Sequence, residues 1–85
     1  MGPEKLQKYF GKYNLQNPES EQYFSSVVAI AIRDYKVSVE DISDSCCCSK
    51  PTVERWAKGI NTPYRLVRPR GLEIIVELVE KKFSV

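Results

Sequence analysis

Three consecutive cysteines, Cys46, Cys47 and Cys48, and six cations between Lys50 and Leu72 are the groups in this 85-residue chain with chemistry to offer. A thiol cluster suggests a metal cage or a redox switch. Metal cages use spaced cysteines, as in C-x2-C, because adjacent side chains diverge, and the chain has no histidine to complete a zinc set. A disulfide between neighbouring cysteines is strained. Two uses remain, small apolar packing in a tight turn, which the pattern favours, and thiol-based sensing; both suit a reducing compartment. The cations Lys50, Arg55, Lys58, Arg65, Arg68 and Arg70 stand against one acid, Glu54, so this window carries +5 and the remainder −3 within a net charge of +2. Such asymmetry is the electrostatic footprint of a polyanion-binding face. With no histidine, no glycine-rich phosphate loop and no spaced carboxylate pair, the usual catalytic sets are absent. No enzyme, metal or cofactor is expected.

The elements that must position these groups lie between Ser38 and Pro63. Ser38 is placed to cap a helix, with Asp41 three residues on in a capping box and Glu40 beside it at the positive end of the helix dipole. Val39, Ile42 and Cys46 then recur at i, i+3 and i+7 as one buried stripe. Ser49 is placed to cap a second helix over residues 50–58, which starts at Lys50 or Pro51; proline costs nothing there because the first N–H groups lack internal partners. At 100° per residue, Val53, Trp56, Ala57 and Ile60 share one face, while Pro51, Arg55 and Lys58, with Glu54 beside them, point the other way. Gly59 supplies a left-handed stop and Pro63 blocks an immediate restart.

In this register, the segment from Ile32 to Pro63 resembles the lambda-repressor-like, Cro/C1 (XRE-type) helix-turn-helix family. The resemblance rests on Val37-Ser38, Ile42 and Ser43, Cys47 at the turn position and Cys48 after it. It continues through Ser49, Val53 and Trp56 to Gly59 and Pro63. Ser43 stands where the family prefers alanine, and Cys47 where it usually has glycine. The resemblance implies that the helix 50–58 enters the major groove N-terminus first, as helix-turn-helix proteins do. Arg55 is then placed for a bidentate guanine contact, and Thr52 and Lys50 for a thymine methyl, a base edge or a phosphate. Ser49 shares capping with phosphate binding, Pro51 and Glu54 flank the outward face, and Lys58, Asn61, Arg65, Arg68 and Arg70 grip the backbone.

Along the rest of the chain, residues 1–17 form an N-terminal arm or short helix, in which Leu6, Tyr9, Phe10 and Tyr13 make an aromatic stripe that Gly11 weakens. The stripe suits capping of the core better than nucleic-acid stacking by Tyr9 and Tyr13. Asn17-Pro18-Glu19 reads as the start of a helix running to Tyr35. Phe24, Val28, Ala31, Ile32 and Tyr35 lie on one face, and Val27 and Ile30 on a second that the N-terminal aromatics are suited to cover. Residues 64–71 read as a basic loop or ragged helical turn. A last helix over residues 71–82 carries Leu72, Ile75, Val76 and Val79 on one face and Ile74 and Leu78 towards another. The resemblance implies homodimerisation there, through Leu72, Ile74, Ile75, Leu78 and Val79; docking to a further domain is the alternative.

The fold expected is an all-α, compact bundle of about four to five helices containing a helix-turn-helix, with residues 18–85 as that domain and the N-terminal segment attached. A chain of this size buries only about two-thirds of its unfolded surface, so modest stability is expected. No apolar run reaches the roughly 18 residues of a membrane span and no signal-peptide core is present, which points to a cytoplasmic, nucleoid-associated protein. The expected function is a sequence-specific double-stranded DNA-binding regulator, repressor or Cro-like, of phage or prophage type. The alternative is a helix-turn-helix domain used for protein interaction, of antitoxin or adaptor type.

Overall fold

The computed structural model describes residues 3–13, 15, 17 and 20–83, and among them it is all-α, a small bundle without strands. In chain order the helices are α1 (Pro3–Phe10), a 3-10 turn (Gly11–Tyr13), α2 (Glu21–Arg33), α3 (Val39–Cys46), α4 (Lys50–Lys58) and α5 (Arg68–Phe83). α2 is the central strut, packed against both α4 and α5, while α3 rests on α4 and α5 and α1 on α5.

The strut begins later than the sequence suggests. Ser20 in extended conformation accepts the N–H of Tyr23 on its hydroxyl at 3.0 Å and so starts α2 at Glu21. Asn17 lies outside the helix with a left-handed φ of 51°, and Pro18 and Glu19, part of the expected start, lie outside the described residues. The helix ends at Arg33 rather than Tyr35. Phe24, Val27, Val28, Ile30 and Ala31 are buried as two adjoining faces, together with Tyr23, whereas Ile32 and Tyr35 are only half-buried.

Phe24 is the hub. Its ring meets Trp56 of α4 edge-on, with centroids 5.3 Å apart and planes at 82°. On the other side α5 comes so close that a Cβ on Gly71 would lie 2.8 Å from Phe24 Cε2. Gly71 therefore serves inside α5 as a contact, not as the helix start the sequence implies. α5 begins three residues earlier, because the Tyr64 carbonyl accepts the N–H groups of Val67 at 2.8 Å and Arg68 at 3.2 Å and winds the chain directly into the helix. Pro69 is tolerated in the first turn, where N–H groups have no helical partner.

Leu72, Ile75, Val76 and Val79 of α5 are buried in the same core as Phe24, Ile42, Val53 and Trp56. Phe10 is buried there as well, so the N-terminal segment shares the core. Its aromatics gather on Tyr35: the Tyr9 and Phe10 rings meet Tyr35 edge-on at 6.1 and 5.6 Å, and the Tyr35 hydroxyl donates to the Tyr9 carbonyl.

Candidate nucleic-acid interface

The candidate interface is built on α3 and α4, joined by the three residues Cys47, Cys48 and Ser49. Ser38 starts α3 by accepting the N–H of Asp41 at 3.0 Å. Ser43 is buried, and its hydroxyl donates to the Glu40 carbonyl at 2.9 Å, so its polar group is satisfied within the helix. At the end of α3, Cys47 adopts a left-handed φ of 56°, with Cys48 N–H donating to Ser43 O at 3.0 Å. Gly59 ends α4 in the same way at φ 75°, with Ile60 N–H donating to Arg55 O at 3.0 Å and Gly59 N–H to Trp56 O at 3.1 Å. Each helix thus closes with the crossed hydrogen bonds of a left-handed C-terminal cap.

The cysteines divide by burial. Cys46 and Cys48 are half-buried against the core, and burial pushes both thiols up, Cys46 to about 11. Cys47, at the left-handed end of α3, is exposed, so packing accounts for two of the three. All three are free thiols, and no metal-binding group of three His, Cys, Asp or Glu side chains occurs among the described residues.

On α4, Val53 and Trp56 are buried and Ala57 is half-buried. Pro51, Glu54, Arg55, Lys58 and Lys50 are exposed; Lys50 Nζ lies 3.7 Å from Glu40 Oε2 in an exposed ion pair. Ser49 is occupied as the cap. Its oxygen accepts the N–H of Thr52 at 3.3 Å and lies 2.8 Å from Thr52 Oγ1, which ties both hydroxyls to the helix start. Ile60 departs from expectation: the left-handed Gly59 ends the helical register, and Ile60 is 67% exposed instead of joining the apolar face.

Beyond α4, Asn61 and Arg65 are exposed, and Arg70 is exposed with its guanidinium 3.4 Å from Glu73. Arg68 is placed differently. Its side chain is only 11% exposed, donating from Nε to Pro63 O at 3.0 Å and from Nη2 to Glu21 Oε1 at 3.3 Å. The structure thus exposes Arg55 and Lys58 with Pro51 and Glu54 on one face of α4, leaves Lys50 at the helix start paired with Glu40, exposes Arg65 in the connector and Arg70 on α5 beside Glu73, and turns Arg68 inward as a brace.

Two features escaped the sequence reading. A groove of about 300 Å³ runs between the first half of α2 and the end of α4, lined by Gln22, Ser25, Ser26, Lys58, Asn61 and Thr62. Among the described residues, Thr62 Oγ1 is enclosed there without a hydrogen-bond partner. The connector from Gly59 to Val67 also exposes four large apolar side chains, Ile60, Tyr64, Leu66 and Val67. Their signal in the sequence is that Tyr64, Leu66 and Val67 belong to no helical stripe, while Ile60 continues that of α4 only past the left-handed Gly59.

The apolar residues of α5 correct the expected pairing face. Leu72, Ile75 and Val79 are buried inside the molecule, because α2 and α3 both pack on that side of α5; only Ile74 and Leu78 keep part of their surface. No described helix is long and apolar enough to cross a membrane. No family model matches this chain, and neither the curated proteins nor the solved structures contain a significant match to it.

Proposed function

We propose that the chain is a sequence-specific double-stranded DNA-binding regulator, repressor or Cro-like, that lays α4 into the major groove. The observation that carries this reading is the outward face of α4, where Arg55 and Lys58 stand exposed beside Pro51 and Glu54, with Lys50 exposed at the leading end, on a helix capped at both ends and backed by Val53 and Trp56 in the core. A rigid, basic helix face on a small domain has the dimensions and charge that major-groove readout requires. Arg55, mid-helix, reads guanine. Lys58, Asn61, Arg65 and Arg70 contact phosphates, and Arg68 holds the connector that presents them. Two copies pair on a two-fold symmetric site, in a cytoplasmic, nucleoid-associated protein.

The test is selection from a pool of short duplexes over a salt series. Affinity falls steeply with salt. Arg55→Ala costs about 1–3 kcal/mol on the selected sequence and relaxes discrimination at one position. Arg65→Gln weakens all duplexes alike and lowers the salt slope by about one. An Arg55→Ala protein with unchanged affinity and preference sinks the assignment.

The four exposed apolar side chains of the connector favour a second reading, a protein-interaction module of antitoxin or adaptor type. In that case reversing charge at Arg55 leaves partner binding intact.

A further inference from the structure

We propose that the groove between α2 and α4 is a binding site for a small hydroxyl-rich compound of monosaccharide size, and that its occupancy opposes DNA binding. The opposition rests on the DNA-binding reading above; the site itself does not.

Two elements build the groove. Gln22, Ser25 and Ser26 come from the first half of α2, and Asn61 and Thr62 from the chain that leaves α4. Gly59 keeps the space between them clear: a Cβ there would stand 4.0 Å from Ser25 Oγ, so this hydroxyl lies beside a position with no side chain. Among the described residues, the side chains of Gln22, Ser25, Ser26 and Asn61 make no hydrogen bond within the chain, so all four are uncommitted. Thr62 Oγ1 is unpaired as well, and it is enclosed. A polar atom held in that way is costly, and a ligand hydroxyl that draws it out by rotation about χ1 recovers the cost.

The lining sets the ligand class. Amide and hydroxyl side chains both donate and accept, as sugar hydroxyls do, so each can be matched. A DNA backbone presents acceptors and would leave the amide oxygens of Gln22 and Asn61 unmatched. Charge excludes a polyanion too. The groove holds one cation, Lys58, and one carboxylate, Glu21, itself 3.3 Å from Arg68, so the lining has no net charge where a polyanion site needs an excess of cations. Ala29 and Ala57 add small apolar surface for the C–H face of a ring. A volume of about 300 Å³ is at the lower end for small-molecule sites and takes one ring rather than a chain. Lys58 and Asn61 are also among the phosphate contacts assigned above, so an occupant competes with DNA for them.

The experiment is an NMR titration of the full chain, followed on its amide resonances, with glucose, ribose and inorganic phosphate. Each is taken to roughly 50 mM, since so small a ligand commands a Kd of about 1–10 mM. The expected result is a saturable shift of Gln22, Ser25, Ser26, Gly59 and Thr62 with a sugar and none with phosphate. Gln22→Ala, at an exposed helix position, then weakens sugar binding about threefold or more. Thr62→Val, of the same shape without the hydroxyl, weakens it too, yet leaves the free chain at least as stable in urea. Saturating sugar lowers affinity for the selected duplex about fivefold or more. No saturable shift with either sugar, an equal response to phosphate, or unchanged sugar affinity in both variants overturns the site. Sugar binding that leaves duplex affinity unchanged overturns the opposition alone. A wild type that binds no duplex at low salt overturns the DNA reading and the opposition with it, while the titration still decides the site.

Discussion

Cys47 shows how one residue is constrained by its place. A side chain at φ 56° costs about 1–2 kcal/mol through crowding of Cβ, part of which glycine returns as unfolded-state entropy. Cys47→Gly is therefore expected to raise stability by about 0.5–1 kcal/mol, read from urea unfolding followed by Trp56 fluorescence. Asp34 is constrained electrostatically. The Arg33 guanidinium, Nε at 3.0 Å, and then the Tyr13 hydroxyl at 2.6 Å hold its carboxyl down to about 2 from an ordinary 3.8. A depressed carboxylate contributes fully above its ordinary value and is lost as the pH falls from 3.8 towards 2. Tyr13→Phe removes the second donor, so the Asp34 titration followed by NMR moves part of the way back towards 3.8. The same bond holds the Tyr13 hydroxyl up, to about 12, so its contribution is lost only as the pH rises past 10.

At the scale of elements, local devices bound α3 and α4, whereas α5, which buries Leu72, Ile75, Val76 and Val79, also depends on one close approach. Gly71 lets α5 reach the Phe24 ring, where a methyl group would stand 2.8 Å from Cε2 and 3.1 Å from Cζ. Alanine is the better helix former by up to about 1 kcal/mol, yet overpacking of this kind costs about 1–3 kcal/mol. Gly71→Ala is accordingly expected to lower the melting temperature rather than raise it, in a thermal unfolding curve monitored at the helical circular-dichroism band. A higher melting temperature would show that Phe24 has room to turn aside.

Across the whole molecule, stability and presentation of the basic face depend on the same ring. Phe24 is fully buried and joins α2 to Trp56 of α4 and Gly71 of α5. Phe24→Ala is expected to cost about 3–5 kcal/mol, out of the roughly 5–15 kcal/mol available to a small domain. Unfolding at ordinary temperature, or a large fall in denaturation midpoint with early exposure of Trp56, is the outcome to look for. Arg68 acts at this scale too. It couples the connector to α2 across 47 residues of sequence, so its replacement should disturb the patch of Ile60, Tyr64, Leu66 and Val67 while leaving the α4 face in place.

The sequence by itself determined α3, the turn and α4 almost to the residue. Ser38, Ser49 and Gly59 act on backbone groups within a turn of themselves, and such short-range hydrogen bonding is written in neighbouring residue types. It also determined that Val53 and Trp56 face inward while Arg55 and Lys58 face outward, since helical periodicity alone sorts them. Only the tertiary structure decided where Ile60, Arg68 and the apolar face of α5 went. Ile60 follows the periodic pattern but lies past a left-handed stop, Arg68 is turned by a carboxylate on α2, and Leu72, Ile75 and Val79 are claimed by a core assembled from distant helices. Those outcomes depend on which elements meet, and contacts between residues far apart in the chain leave no local trace in its spacing.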